Sequence, residues 1–365
     1  MWGGPRAPDG KPWEEQTPSV SYSTSKGVIA TALHMCKDRG LLRYDEPVAK
    51  YWPEFAQNGK GDITIRQALT HTAGLYAART ILAHASDLLD WDTVIRALEA
   101  APAAHGPGRH HAYHAITYGH LIGEIVHRVS GKPVPRFIRE EIAEPLGLRQ
   151  FFIGAPDEAI ARAARNVVRV PGRATDESRA HSRARQQWWA ARMKLLGRVS
   201  SLFGIPYDPD RIKRAFSIKG IGTWDFSSPE VLRACIPAAN GLFSAPDLAR
   251  FYAALAGGGA LDGARLLSES TLREATTIHV RGADGVLVMP MRWRLGYHGV
   301  FGYRGIVPGA FGHFGYNGSG AWASPRHKAS LAYVVNAGMG TPVGDIRMLK
   351  LTTAAMKCLK ARRRG

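Results

Sequence analysis

The stretch SVSYSTSKGVIATALHMCKDRG, residues 19–40, decides the fold. After Ser23, the residues Val28, Ile29, Ala32, Leu33 and Cys36 recur at helical spacing, and Gly40 stands where a helix would stop. The spacing predicts an amphipathic helix over 24–39. If the helix begins at Ser23-Thr24-Ser25-Lys26, Ser23 and Lys26 lie three residues apart and share one face, so a hydroxyl meets an amine. An amine kept neutral by burial and neighbouring positive charge can take the serine proton. A serine at a helix start also lies where backbone donors can bind an oxyanion. Taken alone, the four residues fit a capped helix with no chemistry better than a catalytic pair.

Working outward, Thr64 is placed to cap a short helix in DITIRQALTHTAGL, which a loop closes at Gly74. Ile116, Leu121, Ile122, Ile125 and Val126 predict a helix over 116–130 with Gly131 as its stop. Ser244 and Asp247 read as a capping box before Leu248, Phe251, Tyr252 and Leu255. Past residue 285 the pattern changes. GVLVM, RWRLGYHG, FGHFGYNGSGAWAS and KASLAYVVNAG are short, Gly-punctuated runs that suggest antiparallel strands. A last helix over 345–361 would pack Ile346, Leu349, Ala354 and Cys358 and turn Lys350, Lys357 and Lys360 to water. The layout is an α+β chain in three parts: 1–50 with the Ser23 helix, a mostly helical 51–280, and 281–365 completing the α/β region.

The chain has 365 residues with Lys+Arg 48 against Asp+Glu 30, a net charge of +18 that favours acidic partners or surfaces without naming them. Cys36, Cys235 and Cys358 lie too far apart in sequence for a dense disulfide framework or a CxxC site. Residues 161–200 carry a surplus of +8 together with Trp188, Trp189, Met193, Leu195 and Leu196. The leading reading is a solvated insertion packed by its tryptophans. An anionic membrane surface is the partner it could otherwise meet, and no specific nucleic acid is predicted. Residues 1–18 have no basic segment followed by an apolar run, and no stretch approaches 18 uncharged apolar residues. The expected location is therefore the cytoplasm.

Two further segments carry chemistry. Tyr113, between the loop HGPGRHHA and a helix, could relay a proton between Ser23 and a leaving group, with the Lys26 cation expected to lower the phenol's proton affinity. In FGHFGYNGSG, His313 and Gly315 lie on a predicted strand along a cleft wall. There the Tyr316 backbone N–H could supply an oxyanion donor and His313 a polar edge. His110, His111, His114 and His120 cluster in sequence, but no HExxH or Cys pair accompanies them, so no metal is expected. No organic cofactor is expected either, and GxxxxGK[ST] is lacking.

In this order the chain resembles the serine β-lactamase and penicillin-binding-protein superfamily, in particular class C-like esterases and β-lactamase-related proteins. Those families carry Ser-x-x-Lys, Tyr-x-Asn/Ser and Lys/His-x-Gly motifs, which Ser23/Lys26, Tyr113 and His313/Gly315 match. YWPEF, LTHTAGL, EPLGL at 144–148 and NGLFSAPDLARFYAALAGGG resemble the family as well. The resemblance implies a β-lactamase/DD-peptidase-like fold, an antiparallel sheet flanked by helices with a mostly helical inserted region. It also implies Ser23 as nucleophile, Lys26 as proton acceptor, Tyr113 as proton shuttle, and the Ser23 and Tyr316 N–H groups as the oxyanion hole.

Three departures shape the expectation. Ala115 stands where the family has Asn or Ser, removing a side chain that could orient Lys26 and an amide substrate. His313 replaces the Lys of many β-lactamases and offers a weaker hold on a substrate carboxylate. Both favour small esters or lactones over β-lactams. A DD-peptidase or weak β-lactamase is the first alternative, and a catalytically weak scaffold acting through 161–200 the second. Only 22 residues precede Ser23, so the strands that the fold normally places there are expected to be missing. The strand around 330–336 would then show an open edge that oligomerisation could cover.

Overall fold

The computed structural model describes residues 2–7, 10–165, 167–168, 208–338 and 345–361. The helix Ser25–Asp38 is its axis, and every residue from Ser25 to Cys36 is buried. It packs against the helix Thr117–Ser130 and the strand Gly305–Phe314. Thr117–Ser130 stops at Gly131, whose φ of +69° is the left-handed turn that glycine adopts without strain. Within it, a Cβ at Gly119 would lie 2.1 Å from the backbone nitrogen of Ala238, so this helix lies directly on the 237–238 backbone.

The short helix Ile65–Leu69 is closed by a reciprocal capping box between Thr64 and Gln67. The helix Ala245–Ala256 is capped by Ser244, which accepts from Asp247 N–H. The expected box is not completed, because Asp247 Oδ2 accepts instead from the backbone N–H groups of Arg149 and Gln150, at 3.0 and 2.5 Å.

The main sheet has six antiparallel strands in the spatial order Ala329–Tyr333, Gly320–Ser324, Gly305–Phe314, His298–Gly302, Pro290–Trp293 and Val280–Ala283. All of its strands follow residue 279. Ser19–Val20 pairs instead with Leu242–Phe243, which also pairs with Phe151–Phe152 in a small sheet of its own. Alternation along Gly320–Ser324 sends Ala321 and Ala323 into the main core and Trp322 into a second cluster with Met348 and Met356. The sheet is thus covered on both faces. Ala329–Tyr333 stands at its end, paired along one side among the described residues.

Two sequence expectations change. GVLVM is not a strand but the connection between Val280–Ala283 and Pro290–Trp293. Asp284 Oδ1 accepts the N–H groups of Val286 and Leu287 at 2.8 and 2.9 Å, so this apolar run folds over a carboxylate instead of extending. The last helix, Ile346–Ala361, buries Met348, Thr352 and Met356, while Ile346, Ala354 and Cys358 are exposed. Its phase is set by the sheet, where Trp322 Nε1 donates to Thr352 Oγ1 at 3.1 Å. The basic segment 161–200, with Trp188 and Trp189, lies outside the described residues from 166 onward except for 167–168. Among the described residues no helix is long and apolar enough to cross a membrane.

The close seat of Thr117–Ser130 on residues 237–238 is testable. Gly119→Ala inserts a methyl against backbone that cannot yield cheaply, and should lower unfolding free energy by about 1–3 kcal/mol. Unchanged stability in urea denaturation would contradict this packing.

Candidate active site

The turn before the Ser25–Asp38 helix is held under strain. Tyr22 has a φ of +46°, a region that side chains other than glycine enter rarely. Ser25 Oγ donates to Tyr22 O at 2.6 Å and accepts from Gly241 N–H at 2.9 Å, while Ser21 N–H donates to Gly241 O at 2.9 Å. These bonds tie residues 21–25 to the strand end at 241. They leave Ser23 half-buried among buried neighbours, in the single turn Tyr22–Thr24.

Lys26, in the first helical turn, is fully buried. Its Nζ lies 3.1 Å from Ser23 Oγ and donates to Ala115 O at 2.7 Å and Ala238 O at 3.0 Å. Burial lowers its pKa well below the ordinary lysine value. A neutral amine fits this geometry, its two N–H groups taken by the carbonyls and its lone pair left for the Ser23 hydroxyl. Both carbonyls are firmly placed. Ala115 precedes the buried helix Thr117–Ser130. Ala238 sits in a loop tied by Asn240, whose Nδ2 donates to Val231 O and Ala234 O at 2.8 and 2.6 Å and whose Oδ1 accepts from Ile236 N–H at 3.1 Å. Ala115 thus supplies by its backbone a hold on Lys26 that its side chain cannot.

Tyr113 is buried, with Lys26 Nζ 4.9 Å from its ring centroid. Its ring stacks on Trp293 at 5.6 Å and 5°. Its N–H donates to Asp284 Oδ1 at 3.1 Å. Burial raises the phenol's pKa, the Ser23 hydroxyl opposes this, and the Asp284 charge adds to it. The expectation that the lysine cation lowers that pKa is corrected: burial outweighs the opposing contacts and keeps the phenol protonated. The segment around Tyr113 is pinned by the LTHTAGL loop. His114 N–H donates to His71 Nδ1 at 3.2 Å, Leu75 N–H donates to His114 Nε2 at 2.9 Å, and Thr117 Oγ1 donates to Leu75 O at 2.7 Å. With Nε2 accepting, His114 holds its proton on Nδ1, facing Ala112 O at 2.8 Å, and burial lowers its pKa to about 3.

His313 lies on Gly305–Phe314, its ring 6.1 Å from that of Tyr113. Its Nδ1 donates to Phe314 O at 3.1 Å. Burial, with His298 and Lys26 adding to it, lowers its pKa well below the ordinary value, so it is uncharged at neutral pH. A Cβ at Gly315 would lie 2.2 Å from Ser21 O, so only glycine lets this loop pass against residues 21–24. The loop closes through Gly315 N–H to Ser319 O and Gly318 N–H to Gly315 O, bonds that do not use the Tyr316 N–H. The Tyr316 ring lies 5.6 Å from Tyr22, whose ring lies 5.3 Å from Phe226.

The structure thus brings Ser23, Lys26, Tyr113, His313, Gly315 and Tyr316 to one place. Of the histidines of 110–120, His114 pins the Tyr113 segment, while His111 Nε2 faces Gly282 O at 3.2 Å and His120 packs on Trp91. Among the described residues no three His, Cys, Asp or Glu side chains are grouped to hold a metal. Sequence reasoning missed the carbonyls of Ala115 and Ala238, the Ser25–Gly241 tie and the Asp284–Trp293 support. The phrase NGLFSAPDLA flagged the Gly241 region by likeness, but a carbonyl's direction leaves no mark in residue identity.

A family model described as Beta-lactamase matches residues 1–352. The chain is 35% identical over 330 residues to the esterase/β-lactamase LipL of Mycobacterium tuberculosis, spanning 89% of this chain and 70% of that one. It is 31% identical over 169 residues to the esterase EstB of Burkholderia gladioli, 42% of this chain and 43% of that one. Among solved structures it resembles a penicillin-binding protein homologue from Caulobacter crescentus, with a TM-score of 0.81 at 34% identity over 97% of this chain and 87% of that one. A family VIII carboxylesterase also gives a TM-score of 0.81, at 30% identity over 98% and 88%. The chain belongs to the β-lactamase family, within the serine β-lactamase and penicillin-binding-protein superfamily.

Proposed function

We propose that this protein hydrolyses small neutral carboxylic esters or lactones through an acyl-enzyme on Ser23. The observation that carries the reading is the three-way placement of Lys26 Nζ, with Ser23 Oγ at 3.1 Å and two carbonyls taking its N–H groups. Ser23 Oγ attacks the ester carbonyl carbon as its proton passes to the Lys26 lone pair. The oxyanion is held by the backbone N–H groups of Ser23 and Tyr316. As the C–O bond breaks, the protonated Tyr113 gives its proton to the leaving alcohol and recovers one from Lys26. Water then attacks the acyl group, its proton passing through the same pair, and Ser23 is released.

The preference for neutral substrates rests on charge. His313 is uncharged where many β-lactamases carry lysine, and burial shifts Lys26 toward its neutral form. Beside Ser23 stand Tyr22, Tyr316 and Phe226, an aromatic surround suited to apolar groups. The sequence alone supports one further part of the proposal, a cytoplasmic location.

Ser23→Ala should lower hydrolysis of p-nitrophenyl butyrate by at least about 10³-fold in matched folded proteins. Equal turnover would remove the acyl-serine reading. For the wild type, kcat/KM should be higher for p-nitrophenyl butyrate than for the carboxylate-bearing benzylpenicillin. The reverse order would favour the β-lactamase or DD-peptidase alternative. The base is the deprotonated amine, so kcat/KM should fall as acid protonates Lys26 and should plateau well below the ordinary lysine pKa. A rise that continues to pH 10.5 would contradict a neutral resting amine.

A further inference from the structure

Asp284 lies in none of the three sequence motifs, yet it is fully buried and its carboxylate is saturated with donors. Oδ1 accepts the backbone N–H groups of Tyr113, Val286 and Leu287 at 3.1, 2.8 and 2.9 Å, and Oδ2 accepts Trp293 Nε1–H at 3.1 Å. Four donors surround the carboxyl oxygens, and no acceptor faces them. Burial pushes the Asp284 pKa up on balance, against the opposing pull of the three backbone donors and His111. The indole it holds is the one on which the Tyr113 ring stacks at 5°. One carboxylate therefore fixes Tyr113 twice, at its backbone and through the plane against its ring. His71, 4.4 Å from Trp293 and 4.9 Å from Tyr113, closes the remaining edge.

We infer that Asp284 is a positioning residue for proton transfer: by holding Tyr113 N–H and the Trp293 indole together, it aims the Tyr113 hydroxyl at the leaving group. This inference rests on the acyl-serine reading. A proton donor that has lost its aim hurts a poor leaving group more than a good one, because p-nitrophenolate departs without protonation and an alkoxide does not. Loss of folded protein, by contrast, lowers both in the same proportion.

The test compares wild type, Asp284→Asn and Trp293→Phe on p-nitrophenyl butyrate and ethyl butyrate. Each kcat/KM is expressed per Ser23 titrated with diethyl p-nitrophenyl phosphate and located by mass spectrometry. Asp284→Asn should lose about tenfold more on ethyl butyrate than on p-nitrophenyl butyrate. Trp293→Phe keeps a ring in the stack but removes the N–H donor, and should shift the ratio in the same direction by less. If Asp284→Asn does not fold, Trp293→Phe carries the test alone. Equal loss on both esters in a folded variant would overturn the inference while leaving the acyl-serine reading intact. Failure of the wild-type Ser23 to label would overturn both.

Discussion

Removing a lysine from water without giving it a countercharge is the constraint around which this molecule is built. Lys26 is fully buried, and no acidic group is among the causes that set its pKa. The low-dielectric surroundings disfavour the ammonium and hold the Lys26 pKa well below the ordinary lysine value. Because the unfolded chain keeps that proton below about pH 10.4, native stability rises with pH between the lowered folded value and the ordinary one. The site accepts a stability penalty near neutral pH and, on the proposed reading, gains a base beside Ser23. The fold then has to supply acceptors for two N–H groups, and it brings them from far apart in sequence, at Ala115 and Ala238.

Much of the remaining architecture follows from placing those two carbonyls and one phenol. Gly119 lets the Thr117–Ser130 helix lie on the backbone that carries Ala238, and Asn240 locks that loop. The left-handed Tyr22, held by Ser25 and Gly241, lifts Ser23 toward solvent while Lys26 stays dry. Gly315 lets the loop from the sheet pass against the same turn. On the proposed reading, a neutral amine and a protonated buried phenol form a pair without net charge, so a proton can move between Ser23, Lys26 and Tyr113 without stranding a permanent ion in the core.

The sequence made one layer of this legible. Helical periodicity located the Ser25–Asp38 and Thr117–Ser130 helices to within one residue, and ordered motifs carried by resemblance picked out Ser23, Lys26, Tyr113 and the 313–316 loop. Periodicity failed where tertiary contacts choose between faces. The last helix offers apolar residues on more than one side, and the sheet selects Met348, Thr352 and Met356. The apolar run at 286–288 reads as strand, yet a buried aspartate just before it bends it into a loop. The groups that hold Lys26 are backbone atoms of two alanines, and no residue pattern announces a carbonyl's aim. The substitution at Ala115 reads as a lost contact, whereas the main chain there makes the shortest of the Lys26 bonds.

The proposed chemistry depends on the resting protonation state of one side chain, Lys26. NMR titration of protein labelled with 13Cε/15Nζ-lysine, with Lys26 assigned by its disappearance in Lys26→Met, reads that state directly. The prediction is a neutral-amine signal at pH 7 that converts to ammonium only on acidification. An ammonium signal persisting to about pH 10, the range of an ordinary lysine, would contradict it.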